Sequence, residues 1–267
     1  VNMQENLNSL KETKDTLQQR SLKILLIGDS CYDYYHYGEV NRISPEAPIP
    51  IFDHKRTEKK YGMAANVLEN LRALDAEVHF HTQFKENKNR YIDLKSKQQI
   101  LRVDEKIKPE GFEHIIYDLI HYEYYDAIVI SDYGKGFFRR SDYEILREKF
   151  EGPIFIDTKD PSLDFYEGAI VKINQYEHDK SDLGIYVKDL IVTYGGDMVT
   201  WRDRTFHPPR VVAHDVCGAG DTFLAALAVR YTETNDMPTA IDFAMKAAAV
   251  TVKHIGVYAP TREEIEE

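Results

Sequence analysis

Lys23-Ile24-Leu25-Leu26-Ile27-Gly28-Asp29 is an unbroken apolar run that stops on a glycine and a carboxylate. A strand covered on one face alternates apolar and polar side chains. A run without alternation belongs to a strand covered on both faces, as in a parallel sheet flanked by helices. The aspartate at its end then lies on the C-terminal rim of the sheet. The same form recurs at AIVISD (127–132), PIFIDT (153–158), AIVKIN (169–174) and LIVTYGG (190–196), and VHFHT (78–82) reads as a further strand. Helical spacings lie between them: Ala64, Val67, Leu68, Leu71 and Leu74, and then SDYEILREKF (141–150). Strands alternating with helices predict an α/β fold with a mostly parallel sheet and crossover helices. Several strands end in Asp, Thr or Asn, and in open α/β sheets that rim is where ligands bind.

Two segments fall outside this rhythm. ISPEAPIPIF (43–52) holds three prolines, which forbid a helix or a central strand and predict an edge strand or flap. Residues 4–20 carry Leu7, Leu10 and Leu17 at helical spacing and predict a short polar N-terminal extension over residues 1–20. With 267 residues and a 43% hydrophobic share, the chain can bury one large core over residues 21–267. A net charge of -11 argues against nucleic acid and anionic membranes as partners. Cys31 and Cys217 are isolated, so neither a metal knuckle nor a disulfide framework is expected, and a reduced cytoplasmic setting is the natural reading. Cys217 reads as a small core residue, and His79 and His81 alternate on a strand without ligand spacing. Tyr32, Tyr34, Tyr35 and Tyr37 read as packing.

Chemistry concentrates at Gly218-Ala219-Gly220-Asp221, at a junction between a loop and the helix carried by Phe223, Leu224, Leu227, Ala228 and Tyr231. Glycines let successive N–H groups converge, and the helix dipole adds partial positive charge there. A carboxylate at that point can take the proton of an attacking hydroxyl. Taken alone, the tetrapeptide reads equally well as an ordinary glycine turn.

DVCGAGDTF (215–223) resembles the C-terminal signature of the ribokinase-like (PfkB) carbohydrate kinases, D-T/V-x-G-A-G-D. IGDSCYDYYHYGEVNRISPEAPIPIF (27–52) is similar to the opening of their heptose-phosphate kinase branch, with GD, LD, YG and SRISPEAPVP in that order. GMAANV, KSKQQILRVDE, SDYGKG, IDTKD and NQYE resemble GGAANV, SRNQQLIRLD, SDYAKG, IDPKG and NxxE, again in family order. The resemblance implies a three-layer α/β/α sandwich with a small β flap (lid) at about residues 33–57. It implies Asp221 as catalytic base, with Gly218, Ala219 and Gly220 as an anion hole. Asp29, Asp33 and Asn66 would bind sugar hydroxyls, Gly62 would allow close approach, and Lys159 would meet a phosphate. The flap, with Arg42, would cover the sugar and pair with a second subunit. Asn174 and Glu177 would lie near the phosphates and a Mg²⁺ ion, Glu177 acting on the metal through water, and Thr193 and Gly195 beside ATP. The substrate implied is a sugar or sugar phosphate, foremost D-glycero-D-manno-heptose 7-phosphate.

The chain departs from the family pattern in places. A stretch is missing between Thr82 and Arg90, and the connection from Glu177 to Leu190 is short. Met63 stands for the second glycine of the GG pair, Tyr194-Gly195-Gly196-Asp197 for an R-G-x-x-G turn, and no asparagine lies near Met245. These departures keep two alternatives open: a non-catalytic sugar-binding or scaffold protein on the same fold, and a kinase for another sugar or a nucleoside.

Overall fold

The computed structural model describes residues 20–107, 120–182 and 187–267. The expected N-terminal helix therefore falls almost wholly outside the described residues. Among the described residues ten strands form one sheet: β1 (Lys23–Ile43), β2 (Pro50–Met63), β3 (Glu77–Asp93), β4 (Gln99–Lys106), β5 (Ala127–Asp132), β6 (Ile154–Thr158), β7 (Ile170–Asn174), β8 (Asp189–Thr193), β9 (Val199–Trp201) and β10 (Arg204–Phe206). Their order is β10-β9-β8-β7-β6-β5-β1-β3-β4, with β2 paired to β1. From β8 through to β3 every neighbouring pair is parallel.

KILLIGD opens β1 and lies at the centre. Ile24 and Leu26 enter one core, with Val67, Leu68 and Leu71 of α1 (Ala64–Ala73) and the apolar residues of α4 (Ala219–Thr234) and α5 (Met237–Thr251). Leu25 and Ile27 enter the other, with Tyr143 and Leu146 of α2 (Arg140–Lys149). All four β1 side chains are fully buried, each worth about 1.5–3 kcal/mol relative to exposure. Burial on both faces is the reason for the run without alternation. The chain is thus the expected three-layer sandwich. Between β7 and β8 only the single turn α3 (Gln175–His178) is helical among the described residues, and α6 (Arg262–Glu266) is the last element.

The flap is larger than residues 33–57. Beyond Asp29, β1 continues to Ile43, pairing with β2 on one side and with the second half of β3 on the other, while β4 pairs outside β3. The strand expected over 78–82 runs on unbroken to Asp93 as β3. Where a segment is missing after Thr82, the strand simply carries on from sheet to flap, with a register shift between Ser30 and Cys31. The prolines sit as expected: Pro45 and Pro48 in the turn before β2, and Pro50 at its first residue, on an edge strand.

Gly62 and Met63 mark the passage from β2 to α1. A side chain on residue 62 would come within 2.4 Å of Asp33 Oδ2 and 2.7 Å of Cys31 Sγ, so only glycine lets the two strands close. Met63 has φ 62° and ψ -135°, a conformation that costs a non-glycine residue about 1–3 kcal/mol. Its side chain is buried, which offsets the strain. Met63→Ala loses the burial and keeps the strain, whereas Met63→Gly loses the burial and relieves it. We predict that Met63→Gly is the more stable of the two by about 1 kcal/mol, in urea unfolding. Alanine matching or exceeding glycine here would contradict the strain.

Candidate active site

Asp221 lies in the first turn of α4, a 16-residue helix whose N-cap is Gly218 in the left-handed region at φ 81°. A Cβ on Gly218 would meet Asn66 Nδ2 at 2.7 Å and Val257 at 3.1 Å, which excludes other residues. Gly220 is exposed, whereas the Asp221 carboxylate just behind it is buried. Asn66 Nδ2 donates to Asp221 Oδ2 at 2.9 Å and the Tyr133 hydroxyl donates to Oδ1 at 2.8 Å. Burial pushes the Asp221 carboxyl up to about 6, against the lowering effect of these two donors. The result is a carboxyl that ionises near neutrality at the head of a helix, where N–H groups lack intrahelical partners.

Around it stand two ion pairs that composition could not foretell. Lys172 of β7 donates to Asp157 Oδ2 at the end of β6, at 2.6 Å, both side chains being almost fully buried. Asp157 Oδ1 has no partner within the described residues. Lys172 Nζ lies 3.0 Å from where a Gly220 Cβ would be, directly under the glycine bend. Lys159 pairs with Glu177 Oε1, and its ammonium lies 5.1 Å from the centre of the Tyr133 ring. Asn174 and Glu177 form a capping box on α3, each side chain taking the other's backbone N–H at 2.9 Å. Thr193 ends β8 beside them, and Gly195 sits in an open turn with φ 59°. One Glu177 oxygen thus lies on the backbone and the other on Lys159. Among the described residues no group of three or more His, Cys, Asp or Glu side chains is arranged to hold a metal.

The residues expected to bind sugar hydroxyls divide. Asn66 joins Asp221 directly. Asp33 is buried on the flap and accepts from Arg90 Nε at 2.9 Å, with Gly62 giving it room. One oxygen of Asp29 holds the backbone, and the other, Oδ1, has no partner within the described residues. Fully buried, its Oδ2 accepts the N–H groups of Tyr133 (3.1 Å) and Lys135 (3.0 Å), so it shapes the loop after β5. Arg42 is exposed near the far end of β1, opposite Ile51, and does not reach this cluster. Tyr133, Arg90, Lys172 and Asp157 were not singled out from sequence. Tyr133 lay inside the SDYGKG segment, and Asp157 inside PIFIDT, but their partners are distant in the chain. Cys217 is half-buried ahead of the bend, its backbone N–H held by Asp215 at 2.9 Å.

The chain resembles known proteins in sequence and in fold. Residues 170–264, which include Asn174, Glu177 and the glycine bend, match the model of the pfkB family carbohydrate kinases. The chain is 32% identical over 301 residues to the bifunctional protein HldE of a Nitratiruptor species, covering 92% of this chain and 64% of that protein. This chain therefore spans somewhat under two thirds of that relative. The aligned span is longer than the part of this chain it takes in, so the relative has stretches without counterpart here. The fold is similar to that of a ribokinase from Thermotoga maritima, with a TM-score of 0.66 at 16% identity, covering 92% of this chain and 98% of that one. It is equally similar to Arabidopsis thaliana ribokinase complexed with ribose and ATP, with a TM-score of 0.66 at 14% identity, covering 92% and 98%. No helix among the described residues is long and apolar enough to cross a membrane.

The raised Asp221 carboxyl has a stability consequence. Its folded value of about 6 lies above the ordinary 3.8. The folded state therefore holds its proton more tightly than the unfolded chain, and the stability so gained is full below pH 3.8 and lost as pH rises through about 6. We predict that wild type loses melting temperature relative to Asp221→Asn between pH 4 and pH 7. A difference that stays flat over that range would show an unshifted carboxyl.

Proposed function

Because this chain belongs to the pfkB family of carbohydrate kinases, we propose an enzyme that moves the γ-phosphoryl group of ATP to a sugar hydroxyl with Asp221 as base. The observation that carries this reading is the buried Asp221 carboxylate, raised to about 6, directly behind the exposed Gly220. The acceptor hydroxyl gives its proton to Asp221 as its oxygen attacks the γ-phosphorus. The bond from that phosphorus to the β–γ bridging oxygen breaks, and ADP leaves. Charge on the transferring group falls at the glycine bend, where backbone N–H groups and the α4 dipole oppose it. Lys172 lies beneath the same bend.

ATP as donor is supported by the fold shared with the ribokinase bound to ribose and ATP. Asn174, Glu177, Thr193 and Gly195, at the ends of β7 and β8, would face the nucleotide. A Mg²⁺ ion carried on the ATP oxygens would neutralise phosphate charge, with Glu177 touching it through water. On the other side Asp33, with Arg90 beside it, offers a fixed acceptor and donor to sugar hydroxyls. Of the possible acceptors we favour D-glycero-D-manno-heptose 7-phosphate, phosphorylated at the anomeric oxygen. The run from Ile27 to Phe52 resembles the heptose-phosphate branch, and the relative named HldE aligns over 92% of this chain. The setting that follows is cytoplasmic, with pairing of two copies through the flap.

The test is turnover of ATP and Mg²⁺ with a panel of acceptors: the heptose 7-phosphate, the unphosphorylated heptose, ribose, fructose 6-phosphate and inosine. We expect the heptose phosphate to be preferred. Asp221→Asn should lose ~10²–10⁴-fold in kcat while still binding ATP. Absence of nucleotide binding and of turnover with every acceptor would refute the enzyme in favour of a scaffold. Preference for ribose or inosine would overturn only the substrate.

A further inference from the structure

Asp221 is held from two sides by groups of different standing. Asn66 belongs to the first turns of α1, where Asn70 Nδ2 in turn donates to its carbonyl at 2.8 Å. Tyr133 belongs to the irregular stretch between β5 and α2, where nothing in regular structure fixes it. Its place is set instead by specific bonds. Asp29, at the rim of the central strand, takes the backbone N–H groups of both Tyr133 and Lys135. Asp132 takes that of Gly134 at 2.9 Å. The Lys135 ammonium then reaches Glu86 of the flap at 3.0 Å. A tyrosine kept for packing alone needs no such fixing, and this ring remains half-buried with its hydroxyl aimed at the carboxylate.

We infer that Tyr133 is a positioning residue for the transfer: its hydroxyl orients the Asp221 carboxylate and favours the charged, proton-accepting form, and Asp29 sets that hydroxyl in place. The inference rests on the reading of Asp221 as the base. A donor on a carboxylate stabilises its ionised form, whereas burial opposes it. A carboxylate has about four acceptor positions, so Tyr133 and Asn66 leave room for the proton of an incoming hydroxyl. The other titratable groups that face Asp221 are Asp157 from β6, Lys172 from β7, Lys159 just beyond β6 and Cys217 ahead of α4. Asp157 works against the charge and Lys172 for it. Tyr133 itself stays protonated, far above the usual phenol range, because of burial and the nearby Asp221.

The experiment compares wild type, Tyr133→Phe and Asp29→Asn in two measurements. The first is a carboxyl ¹³C titration by NMR with labelled aspartate, the Asp221 signal being the one missing in Asp221→Asn. The second is the pH profile of kcat. We expect the Asp221 midpoint in Tyr133→Phe to rise by about one pH unit. The acid limb of kcat should follow it, so that the loss in rate is greater at pH 6 than at pH 8. Asp29→Asn keeps the hydroxyl but loosens its loop, and should shift both in the same direction by less. An unmoved Asp221 midpoint in folded Tyr133→Phe overturns the inference, whatever the turnover. If Tyr133→Phe does not fold, the same unmoved midpoint in Asp29→Asn overturns it. A wild type that turns over no acceptor counts against the kinase reading alone, and the titration still judges Tyr133.

Discussion

A carboxylate withdrawn from water at the head of α4 has to be compensated, and the surroundings of Asp221 are organised by that need. An ionised group loses its hydration on burial and remains charged only if donors replace the water. Asn66 and Tyr133 supply those donors from residues 155 and 88 positions away in the chain. For Asn66 to arrive, α1 must begin immediately under the glycine bend. The backbone meets that demand by turning at Met63 through a conformation suited to glycine. For Tyr133 to arrive, the loop after β5 must be tethered, and the buried Asp29 does so. The strain at one residue and the burial of another are thus two consequences of one electrostatic requirement.

Charge around this centre is arranged in pairs rather than as a basic patch, in keeping with a chain of net charge -11. Asp157 with Lys172, and Glu177 with Lys159, place two ammonium groups on the rim without leaving either uncompensated. A buried pair of this kind contributes little net stability compared with apolar packing. Its use is to hold a positive group at a defined point. Lys172 is buried under Gly220, whereas Lys159 is partly exposed.

The central layer was legible because a strand covered by helices on both faces leaves a local mark, and KILLIGD carries it plainly. The glycine bend was legible for the same reason: backbone geometry imposes its residue types within four positions. The second half of β3 was not: the strand was read only to Thr82, and Gln83-Phe84-Lys85-Glu86-Asn87-Lys88-Asn89, polar and without a clear apolar alternation, extends it by pairing with β1 and, from Glu86 on, with β4. Tyr133 and Arg90 were missed because their partners are remote in sequence, and nothing near either residue announces them. For Asp29 the rim position was legible, but not which N–H groups fold back onto its Oδ2, since those of Tyr133 and Lys135 lie more than a hundred residues on. Arg42 lies nine residues along β1 from Asp33, exposed and opposite Ile51, a separation that its segment alone did not reveal.

Two strands, β1 and β3, cross from the central sheet into the flap without interruption, side by side and in register apart from one extra residue near Ser30. A flap joined by loops would hang on irregular chain, whereas this one is a continuation of two central strands. Twist of the floor is therefore carried straight into the flap, and Asp33 rides on the same ribbon that bears Asp29.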